Sequence, residues 1–139
     1  MAPEEIIKTH CFESNGYLNI TPRGAYELCL TGAVLLDVRE EYHSVYKKFN
    51  VKEVIYCPLS VIDEKLSDFP TDRKLIVADA SGLRSREAMT LLIKKGFDNL
   101  INLAGGMVEW ERDGMSLAED LEQKLTGSCM CQLKPRTKK

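Results

Sequence analysis

The sequence predicts an α/β domain built on a central parallel sheet of four to five strands, with helices on both faces. Two observations lead there. The apolar runs "AVLLDV" (33–38), "KLIVA" (74–78) and "NLINLA" (99–104) are continuous rather than alternating, so the strands they form are buried on both faces. Segments with helical spacing separate them, and that order suits a parallel sheet covered on both sides. At 139 residues the chain suits one domain with one core.

The elements follow in order. Residues 1–16 read as an N-terminal extension. "GYLNI" reads as a short edge strand. Thr21 then offers an N-cap, with Pro22 at the first helical position. Ala25, Leu28 and Cys29 share one face of that helix, which places Cys29 in the core, and Gly32 stops it. "AVLLDV" is the next strand and ends in Asp37. "EVIYCPL" is another, closed by Pro58, with Cys57 as a core residue. Ser60 followed by Asp63 has the spacing of a capping box, and Ile62, Leu66 and Phe69 carry that helix to Pro70. "KLIVA" precedes a helix from Arg84 to Lys95 with Met89, Leu92 and Ile93 inward, stopped by Gly96. "NLINLA" leads into Gly105-Gly106 and a short helix bearing Met107 and Trp110. Leu117, Leu121 and Leu125 suggest a last helix over residues 116–127, and residues 128–139 form a basic tail.

Composition excludes several classes. Apolar residues make up 44% and charged residues 29%, the balance of a globular protein. No run of about 18 apolar residues appears, so no membrane span is expected. The N-terminal stretch lacks a long apolar segment, so no secretory signal is expected and the cytoplasm is the default. The formal net charge is −2, yet residues 128–139 hold Lys134, Arg136, Lys138 and Lys139 and no acid; removing those four charges leaves −6 for the rest. A mildly acidic body offers no broad basic face, so no nucleic-acid partner is expected. Five cysteines, an odd number, argue for free thiols rather than a disulfide framework. His10, Cys11, His43 and Cys57 are scattered and no Cys-x-x-Cys pair exists, so neither a metal nor another cofactor is expected.

Asp37, Asp79 and residues 104–106 all fall at the C-terminal ends of strands, the edge where functional loops of such sheets lie. The stretch Asp79-Ala80-Ser81-Gly82-Leu83-Arg84 leaves a buried strand and turns directly into a helix. Successive backbone N–H groups in so tight a turn form an anion-binding nest, and the helix N-terminus adds partial positive charge. Arg84 and Arg86 add full charges nearby. A thiolate at position 79 would be strongly stabilised, but the residue there is aspartate.

The order of short motifs resembles a single-domain rhodanese, a family of sulfurtransferases and related modules. The pieces are "NIT" before the first helix, "LLDVRE" (35–40), "CPLS" (57–60), "SGLRS" (81–85), "KKGF" (94–97) and "NLAGGMVEWERDG" (102–114), spanning residues 17–115. The family's active loop runs Cys-x-x-Gly-x-Arg-Ser; Gly82, Arg84 and Ser85 match it, so the resemblance puts Asp79 at the nucleophile position. The loop of six residues, from Asp79 to Arg84, has the length of the sulfurtransferase branch rather than the longer phosphatase loop. The family often has Gly-His before its second core strand, where this chain reads "FNVKEV".

Sulfane transfer needs a sulfur nucleophile, and a carboxylate carries no persulfide. Asp79 is therefore expected to fill the anion site, held by backbone N–H groups and Arg84. Aspartyl-phosphate chemistry would need a metal held by neighbouring acids, and no Asp-x-Asp pair is present. Asp37 and Arg39 are read as structural, and Gly105-Gly106 as the means of close packing beside the cradle. The functional expectation is a rhodanese-like binding or regulatory module without the loop cysteine, in a sulfur-handling setting. Its partner is a protein or sulfur carrier, met through a cationic group or a loop. The alternative is an active sulfurtransferase that carries persulfide on Cys129 or Cys131 of the tail, where Lys134 and Arg136 favour the thiolate.

Overall fold

The structure, a computed structural model, describes residues 2–40 and 47–119. Six strands form one sheet: β1 (Cys11–Ser14), β2 (Tyr17–Ile20), β3 (Val34–Asp37), β5 (Val54–Tyr56), β6 (Leu75–Ala78) and β7 (Leu100–Leu103). Their order is β1-β2-β7-β6-β3-β5. The pairs β2–β7, β7–β6, β6–β3 and β3–β5 are parallel, and β1 lies antiparallel on β2. A separate antiparallel pair joins β4 (Lys47–Phe49) to β8 (Leu117–Glu119). The central parallel sheet of four to five strands with helices on both faces is therefore present as expected, in five parallel strands, and β1 extends it by one antiparallel edge strand.

Alternation along the central strands separates two cores. Leu35, Ile76, Ala78, Ile101 and Leu103 share one core with Ile6 of α1 (Pro3–His10), Leu28 and Cys29 of α2 (Pro22–Leu30), and Met107 and Trp110 of α4 (Gly106–Arg112). Val34, Leu36, Leu75 and Val77 share the other with Ala88, Met89 and Leu92 of α3 (Leu83–Lys94) and with Ile62 and Phe69. Continuous apolar strands are what two covered faces require. The α2 cap is as expected: Thr21 Oγ1 accepts the Gly24 N–H at 3.2 Å, with Pro22 at the first helical position.

Within the expected N-terminal extension, residues 3–14 build α1 and the edge strand β1. Burial of Ile6, a transfer gain of about 1.5–3 kcal/mol, ties α1 to the core. Four local expectations change. Leu59–Glu64 and Leu66–Asp68 are 3₁₀ turns, not an α-helix. Ser60 does not cap there; its N–H and hydroxyl both donate to Glu40, at 3.2 and 3.0 Å. Ile93 is half-exposed, because the buried stripe of α3 runs through Ser85, Ala88, Met89 and Leu92 and Ile93 lies at its margin. Leu117 begins no helix; it lies in β8 opposite Phe49, while the remainder of the expected terminal helix, with Leu121 and Leu125, lies outside the described residues. The tail with Cys129 and Cys131, and His43, lie outside them too.

Candidate functional site

Parallel pairing brings the C-terminal ends of β3 and β6 together, with Asp37 opposite Ala78. Asp79 is the next residue after β6. Its carboxylate turns inward and is 2% exposed. It accepts the N–H of Gly82 in a short hydrogen bond and the N–H of Arg84 at 2.6 Å. Gly82 is left-handed, at φ 100°, which folds the chain sharply enough to bring both N–H groups onto one carboxylate before α3 begins. Asp79 thus satisfies donors at the α3 N-terminus that no helical carbonyl reaches. Ser85 Oγ donates to the Gly82 carbonyl at 3.2 Å and closes the turn from inside.

The main chain of the loop is held from the opposite side. The N–H groups of Met107 and Val108 donate to the carbonyls of Asp79 and Ala80, at 2.8 and 2.9 Å. Gly106, at φ 58°, lies against those same carbonyls, and a Cβ there would overlap the Asp79 oxygen. The expected role of Gly105-Gly106 as the close-packing turn is what the geometry gives.

Arg84 contributes in one of the two ways expected. Its backbone N–H binds Asp79, but its half-exposed guanidinium is directed to Glu40, 3.9 Å away. Glu40 in turn holds Ser60, so an exposed bridge of Arg84, Glu40 and Ser60 runs beside the loop. Sequence reasoning missed Glu40 and the partnership of Ser60. The one available signal was the proximity of Glu40 to the Asp37 strand end. Ala80, Ser81 and Leu83, the remaining loop residues, are exposed.

Next to the loop, Asp37 and Arg39 form a buried ion pair. Arg39 Nε donates to Asp37 Oδ1 at 3.0 Å and Arg39 Nη2 to Oδ2 at 2.8 Å, while the Arg39 backbone N–H donates to Oδ1 at 3.1 Å. The guanidinium also donates to the Lys47 carbonyl at 2.8 Å and lies 5.1 Å from the Phe49 ring centroid. Phe49 meets Trp110 edge to face at 5.2 Å. The structural reading of Asp37 and Arg39 fits this packing.

Cys11, Cys29 and Cys57 are free thiols. Burial pushes Cys29 up to about 12 and raises Cys57 as well, so near neutral pH both stay thiols and poor nucleophiles. Burial also raises Cys11, with Lys74 opposing. Among the described residues, no group of three or more His, Cys, Asp or Glu could hold a metal ion, and no helix is long and apolar enough to cross a membrane.

Comparison with known proteins agrees with this architecture. The family model "Rhodanese-like domain" matches residues 21–113. A thiosulfate sulfurtransferase GlpE of Haemophilus influenzae is 30% identical over 100 residues, covering 69% of this chain and 90% of the relative. A sulfurtransferase of Allochromatium vinosum is 30% identical over 67 residues, and the chain spans 63% of that relative's length. Among solved structures, a rhodanese-related protein from Thermoplasma volcanium superposes with a TM-score of 0.65 at 27% identity, covering 73% of this chain and 98% of that one. A rhodanese-like domain protein from Staphylococcus aureus, at 23% identity and a TM-score of 0.63, shares the fold.

Proposed function

The chain belongs to the rhodanese-like domain family, and from that premise we propose that it is a non-catalytic member, a cytoplasmic binding or regulatory module in sulfur handling. In this reading Asp79 stands where sulfur-transferring members carry the reactive cysteine. One observation carries it: the Asp79 carboxylate is buried and takes up the N–H groups of its own loop. The anion site is therefore filled from within, and the group filling it has no sulfur to donate or accept. The buried thiols Cys29 and Cys57, held neutral by their surroundings, do not replace it.

The burial of Asp79 also narrows how a partner meets the domain. A cationic group would find the Asp79 carboxylate buried, which argues against charge-reversed recognition at that residue. A protein or sulfur-carrier partner meets instead the outer wall of the loop, where Leu83 is 66% exposed and Arg84 and Glu40 form their bridge. The names of the sulfurtransferase relatives support the alternative of a working enzyme, with Cys129 or Cys131 as the carrier.

Incubation with thiosulfate, followed by persulfide mapping by mass spectrometry, separates the two. The module reading expects no persulfide and no thiocyanate on adding cyanide. A persulfide on Cys129 or Cys131, lost together with turnover in the double serine variant, would overturn it. In a second arm, Asp79→Cys is expected to gain thiosulfate:cyanide activity. Its thiolate would attack the sulfane sulfur, the S–S bond of thiosulfate would break, and sulfite would leave. Cyanide would then take the outer sulfur as thiocyanate and regenerate the thiolate. A folded but inert Asp79→Cys protein would show that the loop is not a competent cradle.

A further inference from the structure

Two exposed apolar side chains belong to the loop and its main-chain clamp. Leu83, in the turn, is 66% exposed, and Val108, whose N–H holds the Ala80 carbonyl at 2.9 Å, is 51% exposed. Ala80 and Ser81 of the same turn are exposed as well. Apolar residues exposed singly are ordinary on a protein surface. These are joined through one turn and its clamp, and they form an apolar patch on the outer wall of the loop.

The route of the chain points to what covers it. β8 is the last described element, and its final residue, Glu119, pairs with Lys47. The Lys47 carbonyl accepts from Arg39, two residues beyond the end of β3, and the Lys47 ammonium meets Glu111 of α4 at 2.7 Å, three residues from Val108. β3 and β6 are paired neighbours, about 4.8 Å apart, so the chain passes Glu119 at the same sheet edge as the loop. The next residues read Asp120-Leu121-Glu122-Gln123-Lys124-Leu125. A chain spans at most about 3.3–3.6 Å per residue, so Leu121 reaches about 7 Å from Glu119 and Leu125 about 20 Å. Leu121 and Leu125, four apart, have the spacing of one helical face. Asp120 and Glu122 flank Leu121 and are opposite in sign to Arg84 and Arg86 of the first α3 turn, of which Arg84 lies 3.9 Å from one acid, Glu40.

We propose that residues 120–127 of this chain dock on the outer wall of the loop, with Leu121 and Leu125 covering Val108 and Leu83. The contact is apolar and asks nothing of Asp79, so the assignment stands whether or not the loop transfers sulfur. A partner that meets the same wall, as in the reading above, binds only by displacing this segment. Its apparent affinity then falls in proportion to the fraction of molecules in which the wall is uncovered.

The test places a photo-cross-linker, benzoylphenylalanine, at position 83 of the full chain. Irradiation is expected to join it, at monomer mass, to a residue among 120–127, mapped by mass spectrometry. Leu121→Ser with Leu125→Ser is expected to cut that product about fivefold or more, because the apolar anchors are gone. The same linker at position 93, an exposed site toward the other end of α3, is expected to give no product with that segment. A second measurement needs no linker. In nitrogen–proton correlation NMR, the leucine-to-serine variant is expected to shift the Leu83 and Val108 amides and to leave those of Ile62 and Leu92 in place. Products at dimer mass alone, products with other segments alone, no cross-link, or equal yields from positions 83 and 93 would overturn the proposal. So would a leucine-to-serine variant whose Leu83 and Val108 amides coincide with the parent's.

Discussion

Asp37 and Asp79 terminate or follow neighbouring parallel strands, and both are almost fully buried, at 1% and 2% exposure. Their charges are answered in different ways. Asp37 meets a guanidinium, Arg39, through three side-chain hydrogen bonds and one backbone N–H. Among the described residues, Asp79 meets main-chain N–H groups alone, while the nearest loop guanidinium turns outward to Glu40. The first arrangement is a structural lock: Arg39 also reaches the Lys47 carbonyl and the Phe49 ring, so it joins the β3 end to the β4–β8 pair. The second rests on two main-chain N–H groups at a tight turn and a helix N-terminus, donors that depend on the turn's shape and not on a particular partner side chain. Two carboxylates one strand apart therefore have different tolerances: one is bound to its partner's identity, the other to the turn's shape.

The largest expected effect is at the lock. Arg39→Met strands the buried Asp37 charge and should cost about 3–5 kcal/mol of unfolding free energy, read by urea denaturation. A loss below about 1 kcal/mol would mean that Asp37 finds other compensation, and the contrast with Asp79 would collapse. Asp79→Ala should cost less, about 1–3 kcal/mol, because it leaves two N–H groups unpaired without stranding a charge. The same variant should gain sulfate binding, seen as a rise in Tm with added sulfate that the parent lacks. Absence of that gain would show that the nest closes when the carboxylate is removed. The smallest effect is expected at the outer bridge. A double-mutant cycle of Glu40→Gln and Arg84→Gln should give a coupling under about 1 kcal/mol, since the Arg84 side chain is half-exposed and the charges are 3.9 Å apart.

What the sequence revealed follows the range of each interaction. The buried strands and the Thr21 cap depend on adjacent residues, and they form as the pattern indicates. The inward turn of Asp79 is local in the same sense: strand end, tight turn and helix N-terminus are contiguous. Ser60 failed as a cap because its competitor, Glu40, lies twenty residues away in the chain and comes near through folding. The β4–β8 pair joins residues 47–49 to 117–119, and Lys47 and Lys48 carry no strand pattern of their own. The β1–β2 hairpin was announced by Asn15-Gly16, a strong turn signal, with φ of 58° and 84°. It was obscured because Cys11–Ser14 is mostly exposed and shows no apolar alternation. In the candidate site, the main-chain role of Arg84 was legible and the direction of its side chain was not, for the same reason of distance. The buried hydrogen bond from Asn102 to Asn19 was invisible, since it links positions 83 residues apart.

The clamp from Met107 and Val108 has a consequence for descent. It grips the loop by the carbonyls of Asp79 and Ala80, which every amino acid possesses. Curvature at this spot is therefore inherited separately from reactivity. A lineage can trade a thiol for a carboxylate, or trade back, while the turn stays folded around whichever side chain it holds. The main-chain grip alone therefore does not distinguish a domain that holds a thiol at this spot from one that holds a carboxylate.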